Sequence, residues 1–129
     1  MTLDVTIGKI VTDYDFYGNK PTFWVESCPN AEQNICNSKY TDWPKEAYRS
    51  GSTAFWEFFQ KQVGQIYYDM RDHPNSNDRG VSYIKPFLER INALTESNDD
   101  VDKDRMKWLK YWCNKAVELY DSMAGIMFS

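Results

Sequence analysis

Between residues 53 and 123 the apolar side chains recur every three or four positions, and this periodicity constrains the chain more than any other feature. Phe55, Phe59, Val63, Ile66 and Met70 form one stripe, widened by Trp56, Phe58 and Tyr67. Ile84, Phe87, Leu88, Ile91 and Leu94 form a second, with Pro86 in the first turn, where its missing N–H costs little. Leu109, Trp112, Cys113, Ala116, Tyr120 and Met123 form a third. Such spacing lays apolar groups along one face of a helix, so three amphipathic helices are expected within 52–125. Ser50 or Ser52 can cap the first helix. Asp72-His73-Pro74-Asn75 ends it, because the residue before proline avoids the α region. Gly64 lies inside the first helix and is expected to mark the close approach of another element. Gly125 reads as the stop of the last helix, which runs from near Asp99 to about Met123. The apolar ending "IMFS" is expected to dock rather than fray.

The N-terminal segment follows a period of two. In "TLDVTIGKIV", Leu3, Val5 and Ile7 alternate with Asp4 and Thr6, the pattern of a half-buried strand in which Gly8 marks a bulge. A turn at Tyr17–Pro21, signalled by Gly18-Asn19, leads to a second strand around Phe23, Trp24 and Val25. The product over 1–27 is an antiparallel hairpin, marginal alone and therefore packed on helices. Residues 28–51 form an irregular loop, with a short helical turn expected at Pro44–Tyr48 because proline suits a first helical position. The fold class expected is α+β: one domain of 129 residues, an N-terminal antiparallel β-hairpin packed on a three-helix C-terminal bundle.

Composition bounds the function. The 129 residues include seven Phe, nine Tyr and five Trp, so rings carry much of the core. A net charge of −4 argues against non-specific nucleic-acid binding and against an anionic membrane surface. No signal peptide or membrane span is legible, and three cysteines, Cys28, Cys36 and Cys113, make an odd count. Both point to a reducing cytoplasm, and a Cys28–Cys36 disulfide is not expected.

The stretch "NDDVDKDRMKWLKYW" places Asp99, Asp100, Asp102 and Asp104 within six residues. A calcium loop read from Asp100 would have Asp102 and Asp104 at positions 3 and 5, but Arg105 at position 6 and Tyr111 at position 12. Glycine and the terminal glutamate are missing, so a helix start is the better reading: a capping aspartate followed by carboxylates at the positive end of the dipole. An exposed acidic contact surface is the alternative use of the same four residues. His73 is the lone histidine, in the polar loop "RDHPNSND", with no motif setting a serine or cysteine beside it. Asp13 and Asp15 flank Tyr14 and read as turn carboxylates. Phosphate-cradling glycine patterns are absent, and no catalytic residue, metal site or cofactor is expected. Tyr40, Trp43 and Tyr48 lie outside the helical stripes, beside Lys39, Lys45 and Arg49. Two roles compete for them. They plug one end of the core, or they form a contact surface of the Tyr, Trp and Arg type that dominates interfaces.

The elements "SKYTDW" and "DKDRMKWLKYWCNKAVELYD" resemble those of a loose group of small phage- and prophage-encoded proteins, which share a short β start, a Y-T-x-W-like element and a Trp-rich final helix. The resemblance carries no catalytic residues. It implies a phage accessory protein that binds and blocks a host factor. The function expected is therefore a non-enzymatic cytoplasmic protein-binding factor, an inhibitor or counter-defence protein whose partner is a host protein. The binding residues expected are Tyr40, Trp43, Tyr48 and Arg49, with Asp99, Asp100, Asp102 and Asp104. The alternative is a protein that sequesters a nucleotide-like anion in a pocket lined by Trp or Tyr and Arg.

Overall fold

The computed structural model describes residues 4–14, 21–50, 53–70 and 80–128. Its class is α+β: three helices and an antiparallel sheet. The hairpin is present, with β1 (Val5–Tyr14) and β2 (Pro21–Ser27) in register from Gly8↔Ser27 to Tyr14↔Pro21. The turn expected at Gly18-Asn19 lies outside the described residues, as do Asp15, Ser52, His73 and the side chain of Asp13.

The hairpin is only part of the sheet. β3 (Tyr48–Arg49), β4 (Val81–Tyr83) and β5 (Ala124–Phe128) complete five strands in the order β2-β1-β5-β4, and β3 pairs with the N-terminal end of β1. β5 is the last strand in sequence yet lies between β1 and β4, antiparallel to both. Ile126, Met127 and Phe128 thus dock, as their apolarity predicts. Gly125, however, is a strand residue and not a helix stop.

Three helices lie against one face of this sheet. The first, α1, runs as Thr53–Phe58, a π-helical turn Phe59–Val63, and Gly64–Met70. Gly64 closes that π turn, its N–H bonding to the Phe59 carbonyl. A Cβ on Gly64 would meet Phe59 of the same helix, so the glycine accommodates the local widening rather than another element. α2 (Ile84–Asn92) has Pro86 in its first turn and buries Ile84, Phe87 and Ile91. α3 (Asp100–Tyr120) buries Trp108, Leu109, Trp112, Cys113 and Ala116. It ends at Tyr120, before the expected Met123. A 3-10 turn, Asp121–Met123, reverses the chain into β5, and Met123 is exposed.

The core under the helices is aromatic. Phe59, Tyr67 and Phe128 meet with ring centroids 4.5–5.7 Å apart, and Phe55 meets Trp108 edge-on at 5.6 Å. Tyr67 also donates its hydroxyl to the Gly80 carbonyl, tying α1 to the approach of β4.

The other sheet face is not left to solvent, which corrects the half-buried reading of β1. Thr6 and Ile10 are buried as well as Val5 and Ile7. The sheet coils until its edge strands β2 and β4 touch, and Ile10, Val25 and Val81 form a second small core with Phe23 and Met127. Gly8 and Gly125 face each other where the sheet folds over. A Cβ on Gly8 would stand 1.8 Å from the Glu26 carbonyl oxygen, and one on Gly125 would stand 2.2 Å from Ile10 Cγ1. Gly8 is in register on both sides and is not a bulge. Its value is the close approach that glycine permits.

All three cysteines are free and buried. Burial raises each thiol above its ordinary value, to about 11 for Cys28.

Candidate binding surface

The irregular stretch after β2 has little regular structure but many anchors. Ala31 and Ile35 donate backbone N–H bonds to Lys45 (2.8 Å) and Pro44 (3.0 Å), so the segment doubles back on itself. Pro44 and Lys45 form a turn in place of the expected helical turn, and the chain then enters β3. At its far end the Ile7 N–H bonds to the Ala47 carbonyl at 3.1 Å.

α3 supplies the remaining anchors through the acidic cluster. Asp99 is the cap, accepting from the N–H groups of Val101 (2.9 Å) and Asp102 (3.0 Å). Those N–H bonds, Asp102's foremost, hold its carboxyl below the ordinary value. Asp100 is exposed in the first turn. Asp102 is only 6% exposed and pairs with Lys61 of α1 at 2.7 Å. Asp104 grips the loop with both oxygens, accepting from the Asn37 N–H at 2.7 Å and the Thr41 hydroxyl at 2.6 Å. One turn on, Trp108 donates its indole N–H to the Glu46 carbonyl at 2.9 Å. A helix start is therefore a correct reading of the cluster but an incomplete one. One aspartate caps, one joins α3 to α1, and one clamps the loop. As a continuous acidic contact face the cluster is much reduced, since Asp102 is buried and Asp99 and Asp104 accept intrachain bonds.

The aromatic and basic residues of the loop separate in the same way. Trp43 is 37% exposed and Tyr48 41% exposed, so neither plugs the core, while Tyr40 is half-buried under Lys39, whose ammonium lies 5.7 Å from its ring centroid. Arg49 is 1% exposed and is not the surface cation its neighbours suggested. Alternation along β3 turns Tyr48 outward and Arg49 inward. Its guanidinium lies over the rings of Phe55 (4.7 Å) and Trp108 (5.5 Å). Its Nε and Nη1 find no acceptor among the described residues. Burial, then the neighbouring Arg105, pushes its pKa down to about 10.

Among the described residues no group of three or more His, Cys, Asp or Glu side chains is placed to hold a metal ion, and no helix is long and apolar enough to cross a membrane. A groove of about 490 Å³ opens where α1, the end of α2 and the first half of α3 converge. Its lining has lysines but no Trp, Tyr or Arg, so it differs from the pocket that a nucleotide-sequestering protein was expected to show.

Compared with known proteins, the chain matches no family model, no curated protein and no solved structure.

Proposed function

We propose that this chain is a non-enzymatic binding factor that recognises another protein through the loop carrying Trp43 and Tyr48, in the manner of the inhibitors and counter-defence factors that the phage-protein resemblance implies. One observation carries the reading. A long segment with almost no regular structure is pinned by Asp104, Trp108, Ile7 and its own backbone bonds, yet leaves two large aromatic side chains more than a third exposed. Loops that carry recognition residues are commonly held by a rigid scaffold. Pinning lowers the entropy lost on association, and Trp and Tyr are the side chains that most often dominate binding energy. The exposed charges around them, Lys39, Asp42 and Lys45, suit a polar rim.

The test is affinity purification of the whole chain from a native host, with Trp43→Ala and Tyr48→Ala run beside it. A specific copurifying protein is expected with the parent and is expected to fall at least tenfold with Trp43→Ala, while both variants keep the parent thermal midpoint. Undiminished capture by folded Trp43→Ala would remove this surface from the reading. A charge reversal at Asp100 separates the acidic alternative. If that change rather than Trp43→Ala abolishes capture, and binding weakens steeply with salt, the partner is basic and docks on the start of α3.

A further inference from the structure

The groove between α1, α2 and α3 has a second chemistry, independent of the aromatic loop. Its floor is apolar. Phe58 and Ile91 belong to the buried core, and Leu94 and Met106 pack against that core while still lining the groove. Its rim is cationic. Lys103, Lys107 and Lys110 lie on one flank of α3 at i, i+4 and i+7, which puts three ammonium groups in a row along the groove. None of the three has a carboxylate partner among the described residues. Among the described residues Lys61, Lys85 and Lys115 do pair with carboxylates. Two carboxylates, Glu96 and Asp102, line the groove with the three lysines, and Asp102 is paired with Lys61. A local excess of positive charge beside apolar surface is out of character for a chain of net charge −4.

Like charges aligned at helical spacing repel one another and weaken the helix slightly. An anion placed between them removes that repulsion, and the adjoining apolar floor gains if the anion carries a hydrophobic body. The groove's volume is in the range of small-molecule sites, which pair mostly apolar linings with a few convergent polar groups. Met106 is an unbranched, adaptable side chain suited to packing against ligands of varied shape. We propose that this groove binds a small amphiphilic anion, with a medium-chain or aromatic body on Leu94 and Met106 and a carboxylate, sulfonate or phosphate head among Lys103, Lys107 and Lys110.

The experiment uses the full chain and 1-anilinonaphthalene-8-sulfonate as a fluorescent amphiphilic anion, with decanoate and decanol as competitors. A single saturable site is expected, displaced by decanoate and only poorly by decanol. The variant K103Q/K107Q/K110Q is expected to bind the probe about tenfold more weakly, from three partly exposed charge contacts. The charge-matched variant K9Q/K39Q/K85Q, which alters exposed lysines elsewhere, is expected to change affinity less than about twofold by the same reasoning. All substituted side chains are at least partly exposed, so both variants should keep the parent circular dichroism and thermal midpoint. Any one of four results would overturn the proposal: no saturable binding, equal affinity in K103Q/K107Q/K110Q, equal loss in the control variant, or decanol competing as well as decanoate. Trp43→Ala is expected to leave probe binding intact, so this site and the protein-binding reading stand or fall separately.

Discussion

The two flanks of α3 treat their charged groups in opposite ways. On the loop side, Asp104 and Trp108 direct their polar atoms at the chain's own backbone and at Thr41, over separations of more than sixty residues. On the groove side, Lys103, Lys107 and Lys110 direct theirs at nothing in the described chain. The helix is the same and the residues interleave, so the difference is one of partners and not of local structure. It teaches where to look for function in an acidic protein. The acids that catch the eye in the sequence are largely occupied by folding, and the lysines of the neighbouring flank have no carboxylate partner among the described residues.

Substitutions can break this contrast, starting with the largest effect. Trp108→Phe removes the indole N–H bond to Glu46 and leaves space beside Phe55, so a loss of about 2–3 kcal/mol is expected in urea unfolding. Asp104→Ala removes two charge-assisted bonds and should cost about 2 kcal/mol, with new proteolytic cleavage between residues 37 and 42 while the helices stay protected. Arg49→Met has the opposite sign. Replacing a buried guanidinium whose Nε and Nη1 lack acceptors among the described residues with an apolar group of similar reach should stabilise by about 1 kcal/mol. A loss of stability in that variant would show that the stacking on Phe55 and Trp108 outweighs the missing acceptors.

The cap sharpens the contrast through pH. The folded pKa of Asp99 is depressed, so the stability it contributes is fully present above its ordinary value of 3.8 and is lost as pH falls through the folded value. Asp99→Ala should therefore flatten the acid limb of a pH–stability curve and leave its neutral and alkaline parts parallel to the parent's. The smallest effect belongs to the groove side. K103Q/K107Q/K110Q should move stability by no more than about 0.5 kcal/mol, because no described intrachain contact depends on those ammonium groups.

How much of this was legible in the sequence depends on the reach of each signal. The three helices and the hairpin were, because a stripe such as Ile84–Phe87–Ile91 or an alternation such as Val5–Ile7 is a local pattern set by local geometry. β3 and β4 were not. Two or three residues are too few to show a period, and both exist only through their long-range pairing with β1 and β5. β5 was half legible. The apolar run from Ile126 announced burial, but Gly125 after a helix imitates a stop signal, and only the packing of Ile10 explains why glycine is there. The cap at Asp99 was legible for the same local reason as the helices. The tasks of Asp102 and Asp104 were not, since Lys61, Asn37 and Thr41 lie more than forty residues away. The inward turn of Arg49 was hidden because the strand that dictates it is two residues long. The groove lysines went unremarked because scattered bases on a helix usually mark nothing more than its solvated side.

The central position of β5 sets a schedule for the newborn chain. Until β5 has left the ribosome, β1 and β4 have no strand between them, and their inner edges stay open. The hairpin and the helices can form from local contacts as they emerge, but the sheet is joined only when β5, which follows β1 to β4 in sequence, reaches its place. Until then the molecule offers two unpaired edges to any strand that reaches them first. Early translation arrest should therefore yield aggregation rather than a smaller working protein, and crowded expression should favour exchange of β5 between chains.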